Sequence, residues 1–261
     1  MELIHIIVLG LVQGITEFLP VSSDGHLIAA RLFFNIPDTN GLAVDGFLHL
    51  GTLLAALVYY RRVWVGIGRG LFVHDSEGND KRQLLGKLLI ASIPAAIIGY
   101  LAEDLVANDL RSVQVTAAGL VVTAAILLAS DFLIRRQERP RATTLDAFLI
   151  GLAQVAALLP GVSRSGTTIA AGRARGLSRS QAVHFSFLMS VPIIAGASIW
   201  TMGHLLTAHL LSPEILTAGL ITSFVAGLAA IHFLVRMVEK ISFVPFAIYL
   251  FVLASALILL F

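Results

Sequence analysis

The stretch LLPGVSRSGTTIAA, Leu158–Ala171, organises the reading of this chain. Pro160 and Gly161 break whatever helix precedes them, and apolar Ile169, Ala170 and Ala171 start a new one. Between them stand Ser163, Arg164, Ser165, Thr167 and Thr168, hydroxyls grouped around one guanidinium. A donor cluster on a Pro-Gly turn before a helix start is how a chain builds an anion site. The free N–H groups and the positive end of the helix dipole both face the anion. Arginine adds a planar fork matched to phosphate oxygens.

The stretch has a twin in the N-terminal half. Gly10, Leu11, Gln13, Val21, Ser22, Gly25, Ile28, Ala29 and Ala30 recur, in the same gapless spacing, as Gly151, Leu152, Gln154, Val162, Ser163, Gly166, Ile169, Ala170 and Ala171. Shared hydrophobicity does not produce matched Gln, Ser and Gly. The differences divide the labour. Glu17, Ser23, Asp24 and His26 in the first copy face Leu158, Arg164, Ser165 and Thr167 in the second. One copy carries proton chemistry and the other the phosphate clamp. In a membrane protein, repeated Gly/Pro-interrupted apolar segments point to the functional site.

That the chain is a membrane protein follows from composition. Of 261 residues, 57% are hydrophobic and 13% charged, with mean hydropathy +0.89; soluble domains carry about 25% charged residues. Cysteine is absent, which excludes disulfides and thiolate chemistry. The net charge of +2 comes from Lys and Arg flanking apolar spans, so it reports topology and not nucleic-acid binding. The apolar N-terminus lacks a basic leader and contains Gln13 and Glu17, unlike a cleaved signal peptide.

Leu3–Leu19 is helical in pattern, with Gln13 and Glu17 on one face. Pro20 ends it, Ser22–Gly25 reads as a polar turn, and Leu27–Phe34 is a short apolar piece. Such a pair predicts a re-entrant hairpin, tolerated at membrane depth where protein or a wet cavity surrounds it. Six stretches are long enough to cross: Gly41–Tyr60, Leu84–Leu101, Val113–Ile134, Ala182–Met202, Ile215–Val235 and Ile241–Phe261. The loop Arg61–Arg82, the loop with Arg135, Arg136, Arg139 and Arg141, the segment with Arg173, Arg175 and Arg179, and the link Arg236–Lys240 are basic and predicted inside. The acidic connection with Glu103, Asp104 and Asp109, and the segment His204–Glu214, are predicted outside. The first hairpin then enters from outside and the second from inside. The predicted fold is a single all-α integral membrane domain over 1–261. It has six transmembrane helices and two re-entrant helical hairpins in an inverted-topology repeat, about 1–134 and 142–261. The hairpins meet tip to tip near the midplane.

QGITEFLPVSSDGHL (Gln13–Leu27), PGVSRSGTT (Pro160–Thr168) and GLSRSQAVHFSFLMSVP (Gly176–Pro192) resemble the undecaprenyl-diphosphatase family of the bacitracin-resistance type. The resemblance spans essentially the whole chain. It implies hydrolysis of undecaprenyl diphosphate to undecaprenyl phosphate and inorganic phosphate, with a divalent cation, recycling the lipid carrier for peptidoglycan synthesis. It further implies a multi-pass protein of the bacterial inner membrane, with a site opening to the periplasmic face. Bacitracin is then a competitor for the lipid substrate, not a ligand of the protein. A homodimer is left open. Asp24 departs from the pattern, which commonly has a small hydroxyl residue there.

The residues suggest their own roles. Glu17 is an ionisable group in an apolar segment, a functional position by default. Gln13 either ligates a metal with Glu17 or orients it; carboxylate and amide oxygens suit Mg²⁺ or Ca²⁺. Ser23 is the expected nucleophile, with Glu17 and His26 as base and proton donor, and His26 or water as the alternative attacker. Ser22 and Ser23 also suit helix caps. Arg164 is the phosphate clamp, with Gln13, Ser22, Ser163, Ser165, Gly166 and Thr168 expected around the substrate. His49, His184 and His232 read as satisfied core histidines. No nucleotide P-loop and no zinc-protease motif is present. The rival reading is a polyprenyl-phosphate transporter or flippase, since inverted repeats with broken helices are a transporter signature.

Overall fold

The computed structural model describes residues 2–261 except 39–40, 74, 103, 107–109, 134–138 and 209–211, and omits the side chains of 133 and 199–208. Glu103, Asp109, Arg135 and Arg136, used above for topology, lie outside the described residues, as does the side chain of His204. The described chain is all-helical. In order run α1 (Leu3–Phe18), α2 (Ser23–Phe33), α3 (Gly41–Tyr59), α4 (Arg61–Phe72), α5 (Ser76–Leu101), α6 (Val113–Leu133), α7 (Thr144–Gln154), α8 (Arg164–Ala174), α9 (Arg179–Ala208), α10 (Pro213–Met237) and α11 (Val244–Leu260).

Five of these, α3, α5, α6, α9 and α10, are long and apolar enough to cross a membrane. The sixth expected span is α11, whose 17 residues place it with the shorter apolar helices α1 and the α7 segment. Pro245 near its start and Ser242 before it shorten the run. The expected polar loop Arg61–Arg82 is mostly helix. α4 turns Ile67 and Gly70 inward against α5, and α5 starts at Ser76, capped by Asp75. The expected polar turn at Ser22–Gly25 is also mostly helix: Ser22 caps α2, and Ser23 already belongs to its first turn.

The packing places the two matched segments. α1 lies along α10, and α7 lies along α5. The repeat partners Gly10 and Gly151 sit at these two crossings, Gly10 against Thr222 and the Gly219 carbonyl, Gly151 against the Ala91 backbone. Any side chain there would force the helices apart, as expected where close backbone approach replaces hydrophobic driving force. α3 packs on α9 and α6 on α11, so each half holds the other. The Pro160–Gly161 turn rests on α6, where Gly161 adopts φ +86°, a conformation natural only to glycine. Thr123 of α6 donates to the Gly161 carbonyl and accepts from the Ser163 N–H at 2.9 Å. That fixes the start of α8 in space.

Candidate active site

Two helix N-termini converge on one cavity of about 630 Å³. Ser22 caps α2, accepting from the Gly25 N–H, and Ser163 caps α8 in the same way, accepting from the Gly166 N–H. Each cap satisfies one donor and leaves the first N–H groups of its helix free for a ligand. Ser22 holds φ +70°, a strained value for a non-glycine residue, costing about 1–3 kcal/mol. The cavity is lined by Glu17, Ser22, Ser23, Asp24, His49, Ser163 and Arg164 on its polar side. Its apolar lining comes from Ala95, Ala96 and Gly99 of α5, Ala157 and Leu158, and Pro192, Ile193 and Ile194 of α9.

Glu17, 7% exposed, is the hub. Arg164 Nη2 donates to its Oε1 at 2.5 Å. Ser23 Oγ donates to Oε2 at 2.7 Å, and Gln13 Nε2 donates to the same oxygen at 3.0 Å. His49 Nε2 lies 3.3 Å from Oε2. The tips are further tied by Ser165 Oγ, which donates to the Leu19 carbonyl at 2.8 Å. A carboxylate that accepts a serine hydroxyl and faces an arginine can take a proton from that serine while the arginine holds an anionic group beside it.

The residues that the chain brings together are thus Gln13, Glu17, Ser22, Ser23, Ser163 and Arg164. The other expected residues, His26, Ser165, Gly166 and Thr168, are not among those that line this cavity. His26 is turned away from Ser23: its Nδ1 donates to the Ser22 carbonyl at 2.7 Å, and its Nε2 accepts from the Tyr249 hydroxyl at 2.7 Å. The ring stacks on Tyr249 of α11, outside the cavity lining. Ser165 and Thr168 are buried and bonded within the protein; Thr168 donates to the Arg164 carbonyl at 2.8 Å and lies 2.7 Å from Ser186 Oγ of α9. These bonds tie α8 to the Leu19 carbonyl and to α9. Gly166 serves as a packing site against Ser163 and Thr123.

Sequence reading missed His49. Its Nδ1 donates to the Asp45 carbonyl at 2.7 Å, which aims Nε2 at Glu17. Asp45 is itself held by Arg31, with the shorter contact at 2.5 Å, and by Arg111 at 2.8 Å. His184, by contrast, meets the Tyr60 hydroxyl at 2.8 Å, away from Glu17.

Residues 6–256 match the family model for bacitracin resistance protein BacA. This chain belongs to the BacA family. It is 40% identical over 267 residues to a protein of Alcanivorax borkumensis named undecaprenyl-diphosphatase, covering 99% of this chain and 98% of that one. A protein of the same name from Rubrobacter xylanophilus is 42% identical over 264 residues, covering 98% and 97%. Undecaprenyl-diphosphatase 2 of Stutzerimonas stutzeri is 40% identical over 275 residues, covering 100% and 99%. The BacA resemblance implied a divalent cation. The donors suit one: beside the Glu17 carboxylate, Gln13 Oε1 is buried with no hydrogen-bond partner among the described residues. These are hard oxygens of the kind Mg²⁺ and Ca²⁺ prefer. The described residues form no cluster of three His, Asp or Glu around a metal position.

Proposed function

We propose that this chain hydrolyses undecaprenyl diphosphate to undecaprenyl phosphate and inorganic phosphate in the cavity between the α2 and α8 N-termini. The observation that carries the reading is Ser23 Oγ donating to Glu17 while Arg164 faces the same carboxylate. The terminal phosphoryl group lies between Ser23 and Arg164, held by the guanidinium and the free N–H groups of both helices. Ser23 Oγ attacks phosphorus, and its proton passes to Glu17 Oε2. The bond from phosphorus to the bridging oxygen breaks, and the lipid phosphate leaves with the electron pair. A phosphate monoester is a stable anion and needs no proton to depart, so this reading asks no proton of His26. Water then cleaves the phosphoserine, returning the proton to Ser23 and releasing phosphate. Gln13 and Glu17 would hold a divalent cation, which supplies neutralisation of the diphosphate charge when bound. The apolar walls from α5 and α9 receive the first isoprene units.

The same reading sets the protein in the bacterial inner membrane, with α11 as the sixth span. The pairs α1–α2 and α7–α8 are re-entrant hairpins of an inverted repeat, and the cavity opens to the periplasmic face. Bacitracin then acts by sequestering the lipid diphosphate. The site is built within one chain, so a homodimer would serve packing and not chemistry. The flippase reading is not favoured, because pure transport has no use for a serine bonded to a buried carboxylate. The test is phosphate release from undecaprenyl diphosphate by purified protein in detergent, where no compartments exist. Release proportional to enzyme is expected; binding without release would overturn the hydrolase reading.

A further inference from the structure

The repeat assigns Gln154 of α7 as the partner of Gln13, and the two have different fates. Gln13 Nε2 donates to Glu17 one turn on. The second copy has Leu158 at that place, so Gln154 has lost its partner. Gln154 is 2% exposed, and neither its Nε2 nor its Oε1 has a hydrogen-bond partner among the described residues. A buried carboxamide with no partner is destabilising. Yet Gln154 lines the cavity together with Ser163 and Arg164. The next lining residues on its own segment are the apolar Ala157 and Leu158.

We infer that Gln154 is a substrate-binding residue whose Nε2 donates to an oxygen of the lipid-linked phosphate, the one that stays on the product. This rests on the diphosphatase reading above. Its place fits that phosphate, because its segment lines the cavity with apolar Ala157 and Leu158 as well as with Ser163 and Arg164 of the anion-holding helix end. The terminal phosphoryl group belongs between Ser23 and Arg164. The unpaired amide is then a recognition group satisfied only when substrate or lipid product is bound. Because the contact is made to substrate and product alike, it acts on binding more than on the chemical step.

The experiment compares the wild type with Gln154→Met, which keeps the length and removes the amide, and with Gln154→Glu. Farnesyl diphosphate is the substrate, and farnesyl phosphate and inorganic phosphate are the inhibitors. For Gln154→Met, KM and the inhibition constant of farnesyl phosphate should each rise about tenfold, as for loss of a hydrogen bond to a charged oxygen. The kcat and the inhibition constant of inorganic phosphate should stay near wild type. The melting temperature without ligand should rise, because an unsatisfied buried amide is gone. Gln154→Glu should weaken farnesyl phosphate binding further, by repulsion. An unchanged farnesyl phosphate constant, or a fall in the ligand-free melting temperature of Gln154→Met, would overturn the assignment. If the wild type released no phosphate, the hydrolase reading would fail. Gln154 would still be judged by farnesyl phosphate binding, read from the thermal shift.

Discussion

Removing the charge of Glu17 is the most informative single perturbation. Glu17→Gln keeps the shape but turns an acceptor-only group into one whose NH₂ must face donors. The Arg164 contact is 2.5 Å, and the two side chains are 15% and 5% exposed. Breaking one partner of such a pair costs about 3–5 kcal/mol, because the other charge stays buried. Arg164 has some access to the cavity, so the lower end applies, about 3 kcal/mol. At about 2–4 °C per kcal/mol for a chain of this size, the melting temperature should fall by about 6–12 °C. Arg164→Met should cost a similar amount. The double variant should recover much of the loss, because neither charge is then orphaned against the other. Recovery stays incomplete, since His49 still faces position 17. Thermal unfolding in one detergent, with all four proteins, measures the coupling. Phosphate release should be lost in every variant, the double included. Additive single effects, with a coupling below about 0.5 kcal/mol, would refute the ion pair as the join between the hairpins.

Three further outcomes follow from the site. Ser23→Ala should lose turnover while farnesyl phosphate still raises its melting temperature; substantial turnover would mean that water attacks directly. His26→Ala should lose stability together with activity, and added imidazole should not restore it, because both ring nitrogens serve Ser22 and Tyr249. Rescue by imidazole would return His26 to the chemistry. Single cysteines at Asn79 and Asp104, both exposed, should label from opposite faces of the membrane; labelling from one face would break the inverted-repeat topology.

What the sequence by itself determined is what local composition and spacing encode. Hydropathy marked the long spans, because about 20 apolar residues are required whatever they pack against. The matched pair Gly10–Ala30 and Gly151–Ala171 marked both broken segments, and Arg164 and Glu17 were legible as a guanidinium and a carboxylate in apolar surroundings. The pairing of hydrogen bonds was not legible. Ser165 and Thr168 look like phosphate donors on paper, but helical rotation turns them toward Leu19 and Ser186. His26 lies three residues from Ser23 along the chain, yet the rise of α2 and the arrival of Tyr249 carry its ring out of the cavity. His49 reads as one polar residue on an apolar span, and only the crossing of α3 with α1 sets it against Glu17. A side chain's identity fixes what it can donate or accept. Which partner it meets depends on the register and rotation of helices distant in sequence, and only the tertiary structure decides that.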